Sequence, residues 1–192
     1  MRRIEIKEQE DKKKKRNQLI VGLILVVLMF VSVAGYAFVG NGSENKINSN
    51  KIVYNGFDFY NQNDFWILNN KNPQLIFKYN PEQTKNISVN VNQINDYYNK
   101  PLYIFSEDVE AELEIYKNLQ GYSQRIQRAC VEGNLCNSDI PIKTCEDNFI
   151  IIKKSETTNI LQDNNCVIIE GAAENLTMIA DEFLFRLFKI KQ

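Results

Sequence analysis

Four cysteines and no histidine define what chemistry this chain could do. Cys130, Cys136, Cys145 and Cys166 all lie in the C-terminal third, at spacing C-x5-C-x8-C-x20-C. A structural zinc site usually needs a CxxC pair or a histidine partner, and neither is present. An even cysteine count in an oxidising compartment reads instead as two disulfides. Of the three possible connectivities, Cys130–Cys136 with Cys145–Cys166 is preferred, because Gly133-Asn134 inside CVEGNLC supplies a turn between the first two sulfurs. The missing histidine also removes the commonest general base. A cysteine nucleophile would therefore depend on a carboxylate, lysine or tyrosine.

Other candidate groups resolve into simpler readings. Glu107, Glu110 and Glu114 share one helical face and could be offered as a cation site, but a solvated helix surface accounts for them. Asp163-Asn164-Asn165 lacks the rest of a calcium loop and is turn chemistry. Tyr97, Tyr98 and Tyr103 could stack on sugars or grip a peptide, although hairpin and core packing is the plainer use. Walker, GxGxxG, GxSxG and HExxH motifs are absent. A carboxylate pair for glycoside hydrolysis has no fixed sequence spacing, so that chemistry stays open. The reading assigns no catalytic residue, no metal and no cofactor.

The elements that would position these groups begin with an address. Leu19 to Gly40 is an uncharged run directly after Lys12–Arg16, KKKKR. As a helix its 22 residues would reach about 33 Å, enough to cross a hydrocarbon core of about 30 Å. The basic flank predicts that the N-terminus stays in the cytoplasm. A cleaved signal ending at Ser32-Val33-Ala34 is the rival, but Gly35 to Val39 continues the apolar character past that point. The expected organisation is a basic tail over 1–18, a transmembrane signal anchor over 19–40, a linker over 41–50 and one extracytoplasmic domain over 51–192. The implied location is the cell membrane, single-pass, with the lipid bilayer contacted through 19–40.

Charge divides at the same place. Residues 1–16 carry net +4, while the rest holds 15 basic and 20 acidic residues. The external part lacks the basic stripe that phosphate binding needs, which argues against nucleic acid as a partner. Sequons occur at Asn41, Asn86 and Asn175, and Asn41 in the linker is the best glycosylation candidate.

The external domain reads as α+β. Asn55-Gly56 between apolar runs predicts a hairpin. Strands at 52–54, 57–60, 65–68, 75–79 and 87–91 would extend it into an antiparallel meander, with another strand at 102–105. A helix capped by Ser106 would bury Val109, Leu113, Tyr116 and Leu119, and a second would cover 122–129. Strands follow at 149–152 and 166–169, with a short one at 157–161 between them. Ala172 to Ile190 is a C-terminal helix with a Glu182–Arg186 pair. Met178, Phe185 and Phe188 widen its apolar surface beyond one stripe, so it is either buried nearly all round or meets a partner. On the partner reading these three are the interaction candidates.

The series RIQRAC, IPIKTCEDNFIII, NNCVIIEG and DEFLFRLFKI resembles uncharacterised single-span proteins of small-genome archaea, over about 51–192. That resemblance implies an external α+β domain and supplies no site residues. The expected function is a non-enzymatic interaction or assembly domain with protein partners in the cell envelope. The alternatives are an anchored extracellular hydrolase and a glycan- or peptide-binding receptor domain.

Overall fold

The computed structural model describes residues 14–29, 51–69, 71–133, 136 and 139–191. It divides into two units, Met1–Asn48 and Ser49–Gln192. In the first, residues 14–29 form a helix, α1, whose side chains are exposed. Among the described residues no helix is long and apolar enough to cross a membrane. Residues 30–40, the second half of the apolar run, and the candidate glycosylation site Asn41 lie outside the described residues.

The second unit is mixed α+β. Its first sheet is a meander of β1 (Lys51–Tyr54), β2 (Phe57–Gln62), β3 (Phe65–Leu68) and β4 (Leu75–Phe77), all antiparallel. Two-residue turns join the first three strands. Asn55 and Gly56 sit at φ +46° and +82°, and Asn63 and Asp64 at +50° and +65°. Left-handed pairs of this kind match the twist of a hairpin, and Asn, Asp and Gly tolerate them best.

The second sheet has order β10-β11-β9-β5-β6. It is built from β5 (Pro101–Ser106), β6 (Arg125–Arg128), β9 (Phe149–Lys154), β10 (Asn159–Asp163) and β11 (Cys166–Gly171). Strands β11, β9, β5 and β6 are mutually parallel, and β10 alone runs against its neighbour. A short helix, α2 (Ile94–Tyr97), precedes β5, and α3 (Val109–Leu119) forms the crossover from β5 to β6. The chain closes with a 3-10 turn (Ala173–Asn175) and α4 (Leu176–Leu187).

Alternation along the parallel strands separates two apolar layers. Leu102, Ile104, Ile150, Ile152, Val167 and Ile169 join α3, α4 and the meander in the main core. Tyr103, Phe149, Ile151 and Cys166 face the other way, into a smaller cluster with Ala129. Phe105, Val131, Cys145 and Ile168 pack onto that cluster. The covering segment contains a two-residue parallel pair, β7 (Cys130–Val131) and β8 (Ile142–Lys143). Disulfides Cys130–Cys136 and Cys145–Cys166 staple it, with Cα separations of 6.0 and 4.8 Å.

Three expectations from the sequence are corrected here. Residues 125–128 are strand, not helix, because parallel pairing with β5 (Leu102 opposite Ile126) outweighs a weak local helical preference. Residues 87–91 alternate between half-buried and exposed but belong to no sheet. The cap of α3 is Asp108, whose side chain accepts from Ala111 N–H at 2.8 Å. Ser106 instead bonds the main chain of Asp108.

Candidate interaction surface

The orientation of α3 is the largest departure from expectation. Val109, Leu113 and Tyr116 are 63%, 57% and 44% exposed, whereas Ala111, Ile115 and Leu119 are in the core. The cause is Asn118. Its side-chain carbonyl accepts from Ile76 N–H at 2.8 Å, and its amide donates to Ile76 C=O at 2.7 Å. One side chain thus satisfies both main-chain groups of an outer β4 residue, as a neighbouring strand would. Docking through Asn118 turns the opposite apolar stripe outward. Glu114 is carried inward with Asn118, so it is not on a solvated face.

The outward stripe borders a cleft of about 560 Å³ lined by Phe65, Ile76, Leu113, Tyr116, Lys78 and Lys117 among others. Phe65, 38% exposed, lies under both lysines, with Lys117 Nζ 4.9 Å and Lys78 Nζ 5.2 Å from its ring centre. Lys117 also pairs with Glu114 at 2.5 Å. Glu110, of the predicted carboxylate face, is exposed and lines the same cleft, while Glu107 and the neighbouring Glu112 are engaged locally. Glu112 takes Arg128 Nε and Nη2 at 2.6 and 2.7 Å, and Glu107 accepts from Lys154 N–H at 2.8 Å.

Behind the cleft, Glu114 meets Asp181 of α4. Asp181 accepts from Tyr79 N–H at 2.8 Å, while Asp181 Oδ1 and Glu114 Oε2 are buried and find no separate donor. Burial, the neighbouring Glu114 charge and a hydrogen bond to Glu114 hold the Asp181 carboxyl well above its ordinary 3.8. The Tyr79 N–H and Lys117 oppose that rise without cancelling it. A folded state that keeps its proton longer than the unfolded chain loses stability as pH rises above 3.8, until the raised pKa is passed. Asp181→Asn retains the acceptor for Tyr79 and offers Glu114 an N–H donor. It is therefore expected to stabilise the domain at pH 7 by roughly 1 kcal/mol, the net worth of one hydrogen bond. Urea titrations at several pH values should show that gain shrinking toward pH 4. A gain as large at pH 4 as at pH 7 would contradict the raised Asp181 pKa.

Phe185 and Phe188, two interaction candidates, belong to the core. Phe185 is fully buried, edge-on to Phe59 at 6.0 Å and 4.6 Å from Phe77. Phe188 packs 5.3 Å from Tyr122. Helix α4 is apolar nearly all round because the meander, α3 and β11 all pack on it, and Met178 is only half-buried at its margin. The expected Glu182–Arg186 pair is present at 3.0 Å and buried.

The remaining candidates are dispersed. Tyr97 is in the core, Tyr98 is exposed and Tyr103 is in the smaller cluster. Arg125 Nη2 donates to the Tyr103 hydroxyl at 3.1 Å and Lys143 Nζ stands 4.2 Å over its ring, which lowers the phenol below its ordinary pKa. Lys143 belongs to β8, so this contact ties the stapled segment to the sheet. Among the described residues no three His, Cys, Asp or Glu side chains are grouped to hold a metal ion. No family model, no curated protein and no solved structure matches the chain.

Proposed function

We propose that this is a single-pass membrane protein whose extracytoplasmic α+β domain is a non-enzymatic docking module in a cell-envelope complex. The observation that carries the reading is the outward apolar stripe of α3 beside Phe65. The occupant that fits is an amphipathic helix of a protein partner. Val109, Leu113 and Tyr116 have helical spacing, so a second helix can lay its own apolar stripe along them. Lys78 is exposed at the rim without an ion pair among the described residues, and it favours an acidic residue on the partner's flank.

The anchor rests on the uncharged run over 19–40 and its basic flank, with the N-terminus cytoplasmic. Two disulfides suit an oxidising external compartment. The hydrolase alternative is less well supported. It requires two carboxyl groups presented to a substrate, yet Glu114 is held by Lys117 and Asp181 is fully buried.

Leu113→Asp tests the docking reading. Because Leu113 is 57% exposed, the variant should melt within about 0.5 kcal/mol of the parent. Mild-detergent purification from the native membrane should recover a stoichiometric partner with the parent and lose it with the variant. Equal recovery from both would refute the α3 surface.

A further inference from the structure

A second surface, independent of α3, lies on the segment before α2. From Asn86 to Val91 the side chains alternate with a period of two, with Ile87, Val89 and Val91 half-buried against the core and Asn86, Ser88 and Asn90 exposed. This is the habit of a strand. Yet the segment belongs to no sheet, and none of its main-chain N–H or C=O groups from Ile87 to Val91 has a hydrogen bond among the described residues. Such a row is a template for another strand.

The same segment walls a cleft of about 280 Å³ whose opposite side is the end of α4. Three cations line this cleft, Arg186, Lys189 and Lys191, and no acidic residue does. Among the described residues, buried Glu182 is the one carboxylate in contact with them, and it serves both Arg186 and Lys191. Lys191 directs Nζ at Glu182 and Thr84, and is fully engaged. Arg186 uses Nε on Glu182 and Nη2 on Asn86, which leaves its Nη1 edge unbonded among the described residues. Lys189 touches Gln93 alone, at 3.2 Å. On a domain of net negative charge, this is a local positive excess beside an open main chain.

We infer that residues 87–91 and this cleft form a docking site for an extended peptide bearing a carboxylate. The peptide pairs its main chain with 87–91 by strand addition and sets its carboxylate against exposed Lys189, with the largely buried Arg186 adding positive charge from the cleft wall. Charge complementarity selects an acidic peptide of a partner over a second copy of this negatively charged domain.

The test uses the full chain in detergent micelles and a displayed library of random ten-residue peptides, counter-selected against Lys189→Glu. The expected pool is rich in Asp and Glu and poor in Pro. Its consensus peptide should bind the parent at least tenfold more tightly than Lys189→Glu, and should slow amide exchange at 87–91 at least tenfold. An adjacent-site control, Leu113→Asp, should bind the peptide as the parent does, separating this site from the α3 cleft. Three results would overturn the inference: no enrichment over the variant, a bound peptide that leaves exchange at 87–91 unchanged, or slow exchange in the free chain that strengthens with concentration. The last would make a second copy the occupant.

Discussion

Glu182→Ala is expected to cost the domain about 3–5 kcal/mol, the usual penalty for leaving buried charges without their partner. Glu182 is fully buried on α4 and accepts from Arg186 Nε at 3.0 Å, Lys191 Nζ at 2.5 Å and Thr84 Oγ1 at 2.7 Å. Its removal strands two cations in an interior where neither can reach full hydration. Domains of this size are commonly stable by about 5–15 kcal/mol, so the variant should approach the limit of folding. Glu182→Gln keeps an acceptor but not the charge, and should fall between parent and alanine variant. Trp66, the one tryptophan, is buried in the meander, so its fluorescence during urea unfolding reports the loss directly. An alanine variant within 1 kcal/mol of the parent by that reading would show that solvent reaches the network.

Phe185→Ala should be comparably damaging for a different reason. Truncating a fully buried phenylalanine commonly costs about 3–5 kcal/mol, through lost transfer energy and the cavity left behind. Here the ring also forms one corner of the Phe59–Phe77–Phe185 cluster, with centroid separations of 6.0, 6.0 and 4.6 Å. Each such aromatic pair adds about 0.5–1.5 kcal/mol beyond area burial. Phe185→Leu fills most of the space and should lose about half as much. The same urea titration, followed at Trp66, distinguishes this core role from a partner-contact role. A truncation that left the unfolding midpoint in place while weakening partner recovery would place Phe185 at an interface after all.

What could be read in the residues beforehand depended on how local the governing physics was. Asn55-Gly56 was legible because a two-residue turn is decided within two residues, by which side chains tolerate positive φ. The disulfide pairing was legible in part because a six-residue separation with a glycine turn closes easily. Strand β6 was not, since Arg-Ile-Gln-Arg has no local strand signature and its identity comes from β5, more than twenty positions away. The exposed face of α3 was not legible either. That helix carries two plausible apolar stripes, Val109-Leu113-Tyr116 and Ala111-Ile115-Leu119. The polar Asn118 chooses between them, through bonds to Ile76 in a different sheet. A buried asparagine is counted against burial by any hydropathy pattern. The clue available was weak: one helix offering more apolar surface than one contact needs.

The two-sided sheet also constrains where this chain can be made. One of its faces is covered by helices, which fold by burying apolar surface and need no particular redox conditions. The other face, with Phe149 and Ile151, is roofed by the segment between β6 and β9, fastened through Cys145 to Cys166. In a reducing cytosol that fastener cannot close, and the unroofed strands are an adhesive surface. On the extracytoplasmic reading proposed above, maturation of the domain would have an order: delivery to an oxidising compartment first, closure of the roof second. Heterologous production that skips the first step should yield aggregated protein, however well the helices and the meander form on their own.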